Sequence, residues 1–376
     1  MKRFYFPMFA VAMIFATSSC SKDETIIDED PVPEAPGQPG GDTEPVSYGA
    51  FLVNAGNLYS NIEGSLSYWE YGSQNLFEDV FSSANSGQTV GDIFNAGYIL
   101  DDKIYLAVTN SAVLHVINRD DFKIVKSIST VSNAGPRHIT SLNGKIYMTL
   151  FGQPGYVAEV DPETLEITRE VEVGPLPEYI VPFQGKLYVS VSDGRGDGSE
   201  ASVTVIDPET FTVSQKITGI VNPVNLVTNG NQIFVCAWGQ YMNEPPYSQY
   251  NYGLFEVKGN QFSEKLADAT EICLNGNRLY YISAPYGLDT KKYGVYDTTN
   301  GSDNVWISEA DGVDSPIAIC TDPVTGDVFL ISYRLGEAGY PSYTSPGYVK
   351  QYTETGRFVT TFDTGVSPVT MFFNVY

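Results

Sequence analysis

LPEYIVPFQGKLYVSVSDGRGDGSEASVTVIDPETFTVSQKI, residues 176–217, decides how the chain is read. It divides into four short strands. LPEYIVPF is the first, turned at Gln184-Gly185, and KLYVSVS is the second. ASVTVID is the third, and Asp207-Pro208-Glu209-Thr210 turns it into the fourth, FTVSQKI. Gly supplies positive φ and Asp-Pro a preset bend. The inner strands are apolar throughout, as strands packed on both faces must be. A fourth strand elsewhere, LEITREVEV, alternates: Ile167, Val171 and Val173 fall on one side, Thr168, Glu170 and Glu172 on the other. That is an outer strand with one wet face.

The unit recurs. Its second strand appears as AFLVN, KIYLAV, KIYMTL, KLYVSV, QIFVCA, RLYYIS and DVFLIS, each with one aromatic near the start. Those aromatics, Phe51, Tyr105, Tyr147, Tyr188, Phe234, Tyr280 and Phe329, follow one another at intervals of 41 to 54 residues. Such a period with short strands predicts an all-β, seven-bladed β-propeller of four-stranded antiparallel blades. The ends are out of phase: the chain enters at a second strand, GAFLVN, and finishes on a first strand, SPVTMFFNVY. The last strand is therefore expected to join the N-terminal blade, closing the ring and pairing edges otherwise left open.

Residues 48–376 form this domain in the sequence reading. Before it, Met1-Lys2-Arg3 and the apolar run Phe4–Ala16 read as a secretory signal, too short for a spanning helix. Thr17-Ser18-Ser19-Cys20 resembles a bacterial lipoprotein processing site, which implies a signal peptide over 1–19 and lipid on Cys20. Ser21-Lys22-Asp23-Glu24 resembles the sorting signal that sends such proteins of Bacteroidetes-type bacteria to the outer-membrane surface. The acidic, proline-bearing stretch 20–47 reads as a disordered tether.

The net charge of −24 argues against nucleic-acid binding. Cys236, Cys273 and Cys320 lie in apolar strands and read as buried free thiols. With two histidines, His115 and His138, and no paired Cys spacing, no metal site is expected. No catalytic residues are assigned and the chain is expected not to be an enzyme. His138 is the one histidine placed near the face described next, and no nucleophile is paired with it.

Short turns, among them Asn143-Gly144, Asn275-Gly276 and Asp161–Thr164, should occupy one face. The long insertions, 54–64, 192–200, 237–252, 284–292 and 333–346, with a link at 82–91, should occupy the other. Function collects on long loops over a rigid scaffold. These loops are rich in tyrosine, which offers apolar area and a hydroxyl at low entropic cost. Tyr59, Trp238, Tyr241, Tyr247, Tyr250, Tyr286, Tyr333, Tyr340 and Tyr343 are the candidate ligand-binding rings, expected to circle one mouth. Arg137 and Arg334 are the candidate partners for a carboxylate or phosphate. The loop Asp193–Glu200 could wrap calcium but lacks EF-hand spacing; a solvated glycine-rich loop is the plainer reading.

VIDPETFTVSQKITGIVNPVNL resembles the YVTN-type propeller repeat. The opening GAFLVNAGN and the ending GYVKQYTETGRFVTTFDTGVSPVTMFF resemble Bacteroides surface lipoproteins once called putative surface-layer proteins, a group that includes the BtuG-type cobalamin-binding propellers. The resemblance implies a lipid-anchored protein on the cell surface that binds cobalamin or another corrinoid as ligand, not as a catalytic cofactor. It also implies delivery to a TonB-dependent outer-membrane transporter. A glycan-binding or surface-layer interaction propeller, and a lactonase-like hydrolase, are the alternatives.

Overall fold

The computed structural model describes residues 44–130, 134–194, 197–337 and 339–376. The signal peptide, Cys20 and the tether up to residue 43 lie outside the described residues, as do residues 195 and 196 of the 193–200 loop.

Seven four-stranded antiparallel sheets make up the fold. Blade 1 runs, from inside out, Pro368–Val375, Ser47–Asn54, Ser65–Glu70 and Asn75–Phe77. The innermost strands of blades 2 to 7 are Phe94–Leu100, Gly135–Leu142, Pro177–Phe183, Pro223–Thr228, Glu271–Asn275 and Ser315–Thr321. Each touches the next around the ring, and that of blade 7 touches Pro368–Val375. The expected closure is therefore present: Ala50 pairs with Phe373, Phe51 with Phe372 and Leu52 with Met371. Backbone hydrogen bonds between Val46 and Tyr376 extend it at the outer end.

The repeat is legible in the packing. Each pair of adjacent blades encloses one apolar cluster. Each repeated aromatic enters a different one: Phe51 between blades 1 and 2, Tyr105 between 2 and 3, Tyr147 between 3 and 4. Tyr188, Phe234, Tyr280 and Phe329 serve the remaining four interfaces in order. All but Tyr188 are fully buried. Truncating a buried ring costs about 3–5 kcal/mol, so each repeat carries its own strong anchor to the next blade.

The turns follow the residues. Gln184-Gly185 and Asn143-Gly144 have positive φ at both positions, the tight hairpin geometry that glycine makes accessible. In the turns to the fourth strand, Asp161 Oδ1 accepts from Glu163 and Thr164 N–H, and Asp207 Oδ1 from Glu209 and Thr210. Asn118 does the same in blade 2. These side chains satisfy backbone donors locally, which fixes the turn without tertiary help.

Candidate functional site

All five long insertions join a second strand to a third, so the topology puts them on one end of the propeller. Blades 2 and 3 have only 109–112 and 152–154 at the same place. The aromatic insertions belong to blades 5, 6, 7 and 1, which are consecutive. They form an arc over four blades and not the expected full circle; blade 4 contributes the glycine-rich loop. The 82–91 link also differs from an open loop. It begins at a short helix, Val80–Ala84, whose Val80 and Phe81 are buried, and Asn85 ties it to the backbone of Phe122 and Ile124 in blade 2.

Two aromatic groups stand on the arc. In blade 5, Gln240–Tyr241 and Gln249–Tyr250 pair as a small ribbon. Gln249 anchors it: its Nε2 donates to Trp238 O at 2.6 Å, its N–H to Tyr286 O, and its Oε1 accepts from Tyr286 N–H. Tyr241 meets Tyr286 edge-on at 6.1 Å. In blade 7, Tyr333 meets Tyr343 edge-on at 5.1 Å, and Tyr343 O accepts from Asn57 of the blade 1 loop. Arg334 pairs with Asp363 and lies over the Tyr348 ring, so its charge is already matched. Tyr59 is 97% exposed, Tyr340 75% and Tyr286 62%. Among the described residues, every exposed tyrosine or tryptophan stands on these loops: Tyr59, Trp238, Tyr247, Tyr250, Tyr286, Tyr340 and Tyr343. Water-facing tyrosines and tryptophan gathered on one set of loops are the mark of an interaction surface.

The ring axis holds a cavity of about 390 Å³ that the sequence reading did not anticipate. Its rim comes from one repeated position, near the start of each innermost strand. Those residues are Asn95, Arg137, Glu178, Val224, Glu271, Ile317 and Val369, one per blade, and all seven line it. In five blades the preceding residue is Pro136, Pro177, Pro223, Pro316 or Pro368 within the strand, and the pairing to the second strand slips just there. The bulge turns the following side chain toward the axis. Of the sequence candidates, Arg137 and Trp238 line this cavity; the other rings do not.

Polar and apolar residues divide the rim. Arg137 donates Nε to Glu178 at 2.7 Å and Nη1 to Asn95 at 3.0 Å, joining blades 2, 3 and 4. Across the axis, Trp238 Nε1 donates to Thr270 O, and Asn225 Nδ2 to Ile272 O. The Trp238 and Asn225 side chains also hydrogen-bond the Glu271 carboxyl. Burial still dominates, with Glu178 adding repulsion, and pushes Glu271 up to about 8. Its side chain is half-buried because it faces the lumen. His138 stacks on Tyr179 at 4.1 Å, and burial pushes it down to about 4, so it is neutral at physiological pH.

A site signal did exist in the sequence for Asn95, Glu178, Asn225 and Glu271: a polar residue just inside an otherwise apolar first strand. One such residue per repeat looks like ordinary surface until the ring brings them together.

Residues 48–231 match the family described as "Domain of unknown function (DUF5074)". No curated protein matches the chain. Among solved structures, a functionally unknown protein from Desulfotomaculum acetoxidans DSM 771 is similar at TM-score 0.57 and 12% identity, covering 87% of this chain and 99% of its own. The Kuenenia stuttgartiensis hydrazine synthase gives 0.53 at 11%, covering 71% and 84%, and the computationally designed Ika8 protein 0.53 at 12%, covering 85% and 89%. At these identities the likeness is one of fold: the chain is a seven-bladed β-propeller, with a domain of unknown function matched over its first half.

Proposed function

We propose that this chain is a non-catalytic capture protein, anchored through lipid on Cys20 at the outer-membrane surface, that binds a small nutrient on its long-loop face. A corrinoid is the ligand of first choice, and a TonB-dependent transporter is the recipient. One observation carries the reading: the exposed tyrosines and tryptophan are gathered on one arc of loops. Rings held by a rigid propeller stack on a flat macrocycle, and their hydroxyls meet its amide fringe. The low rim at blades 2 and 3 leaves the arc open on one side, room for a ligand broader than the axial cavity.

Titration calorimetry of the chain from residue 20 onward, with Cys20→Ser, against cyanocobalamin tests the proposal. Saturable heat at micromolar ligand, weakened at least about tenfold by Tyr286→Ala with Tyr340→Ala, is expected. Absence of heat refutes the corrinoid reading. Heat with surface oligosaccharides in its place transfers the face to glycan binding, for which the same rings are suited.

A further inference from the structure

Glu271 is the one rim acid without a cation. Arg137 holds Glu178, but among the described residues no lysine, arginine or histidine nitrogen lies within ion-pair distance of Glu271. A second group at the cavity wants the same complement. Asn225 is 7% exposed and lines the cavity, its amide N–H is engaged, and its Oδ1 has no hydrogen-bond partner. A buried amide oxygen is an acceptor that needs a donor. Trp238 lines the same cavity and is 36% exposed. Acid, orphaned acceptor and π-face together describe a site for a donor that carries positive charge.

We propose that the axial cavity binds a small organic cation, a primary ammonium on a short apolar body. The ammonium sits between Glu271 and Asn225 Oδ1 beneath Trp238, and the body lies against Ile317, Val369 and Phe372. An ammonium brings three N–H donors, enough for the carboxylate and the amide oxygen. A metal ion is a poor fit, since no group of three His, Cys, Asp or Glu side chains is placed to hold one among the described residues. An anion would face both Glu178 and Glu271. A neutral molecule offers the Glu271 carboxyl no charge to pair with. The cavity volume is within the range of about 300–1,000 Å³ usual for small-molecule sites. The charge of −24 favours arrival of cations. This site is independent of whether the loop face takes a corrinoid.

Binding has a proton signature. The groups that face Glu271 are Glu178, Trp238 and Asn225, with Arg137 engaged by Glu178; Tyr179, Cys236 and Cys320 also feel its charge. In the empty site burial keeps Glu271 protonated at neutral pH. A bound ammonium favours the carboxylate, so one proton leaves the Glu271 carboxyl for the buffer.

The test is calorimetry of the full chain at neutral pH with n-butylammonium, with butyramide and butyrate as neutral and anionic counterparts. Phosphate and HEPES serve as buffers of different ionisation enthalpy. The expected result is binding of butylammonium with buffer-dependent heat corresponding to close to one released proton. Butyramide and butyrate should bind at least about tenfold more weakly, and Glu271→Gln should weaken butylammonium about ten- to hundredfold, the loss of a charge-assisted hydrogen bond. The variant's thermal midpoint reports that it is folded. No binding of butylammonium, equal binding of butyramide, or unchanged affinity in folded Glu271→Gln overturns the proposal.

Discussion

Glu271→Gln should make the protein more stable, and by an amount that grows with pH. Burial raises the Glu271 carboxyl from the ordinary 4.5 to about 8 in the folded chain. The folded state therefore holds this proton more tightly than the unfolded state does, and protonation favours the fold. That contribution is complete below the ordinary value and is lost as pH rises through about 8. Each pH unit is worth about 1.4 kcal/mol, so a carboxyl wholly removed from water would lose about 5 kcal/mol across the interval. Glu271 faces a lumen that admits water, which screens part of this; we expect about 2–4 kcal/mol at pH 8.5. Glutamine keeps the shape and can accept from Trp238, so the variant lacks the ionisation and little else. Urea unfolding of both proteins at intervals between about pH 5 and pH 9 reads the difference directly. Titration of the other carboxylates, such as Asp161 and Asp207, is common to both and cancels. Near pH 5 the two proteins should be about equally stable, with the variant pulling ahead above neutrality. Parallel pH profiles would refute the reasoning, because they would mean that Glu271 ionises in the lumen as it does in water.

Closure can be tested at Arg119, which is buried and donates Nε and Nη2 to Asn374 and Nη2 to Val375 O while lying 3.6 Å from the centre of the Tyr376 ring. Arg119→Ala removes these ties between blade 2 and the closing strand and should cost about 2–4 kcal/mol in urea unfolding; a loss under about 1 kcal/mol would mean strand pairing alone holds the ring. Cys236, Cys273 and Cys320 are buried free thiols whose ionisation burial pushes up. An aromatic disulfide reagent at pH 8 should leave them unreacted in the native protein and reach all three on unfolding, and rapid native labelling would contradict their placement.

The architecture follows from the repeat. Each repeat carries a complete local instruction: Asx-type and glycine turns that close without outside help, apolar inner strands, and one aromatic that fills one interface between blades. Seven copies of that instruction, with the ends out of phase, leave a ring closed by Pro368–Val375 as the consistent solution. The face bearing the long loops was legible for the same reason, since loop type alternates strictly with strand order. The arrangement around the axis, by contrast, comes from the folded ring. The aromatic loops stand as an arc because blades 2 and 3 lack insertions, and Tyr241 finds Tyr286 across a blade boundary. Asn95, Arg137, Glu178 and Glu271 are separated by about 40 residues or more in the chain, and a bulge near the start of several of their strands decides that the side chain faces inward. Local pattern records which residues a strand buries. It does not record which side chains meet when seven strands close on a common centre, because their burial and charge coupling arise only from the ring itself.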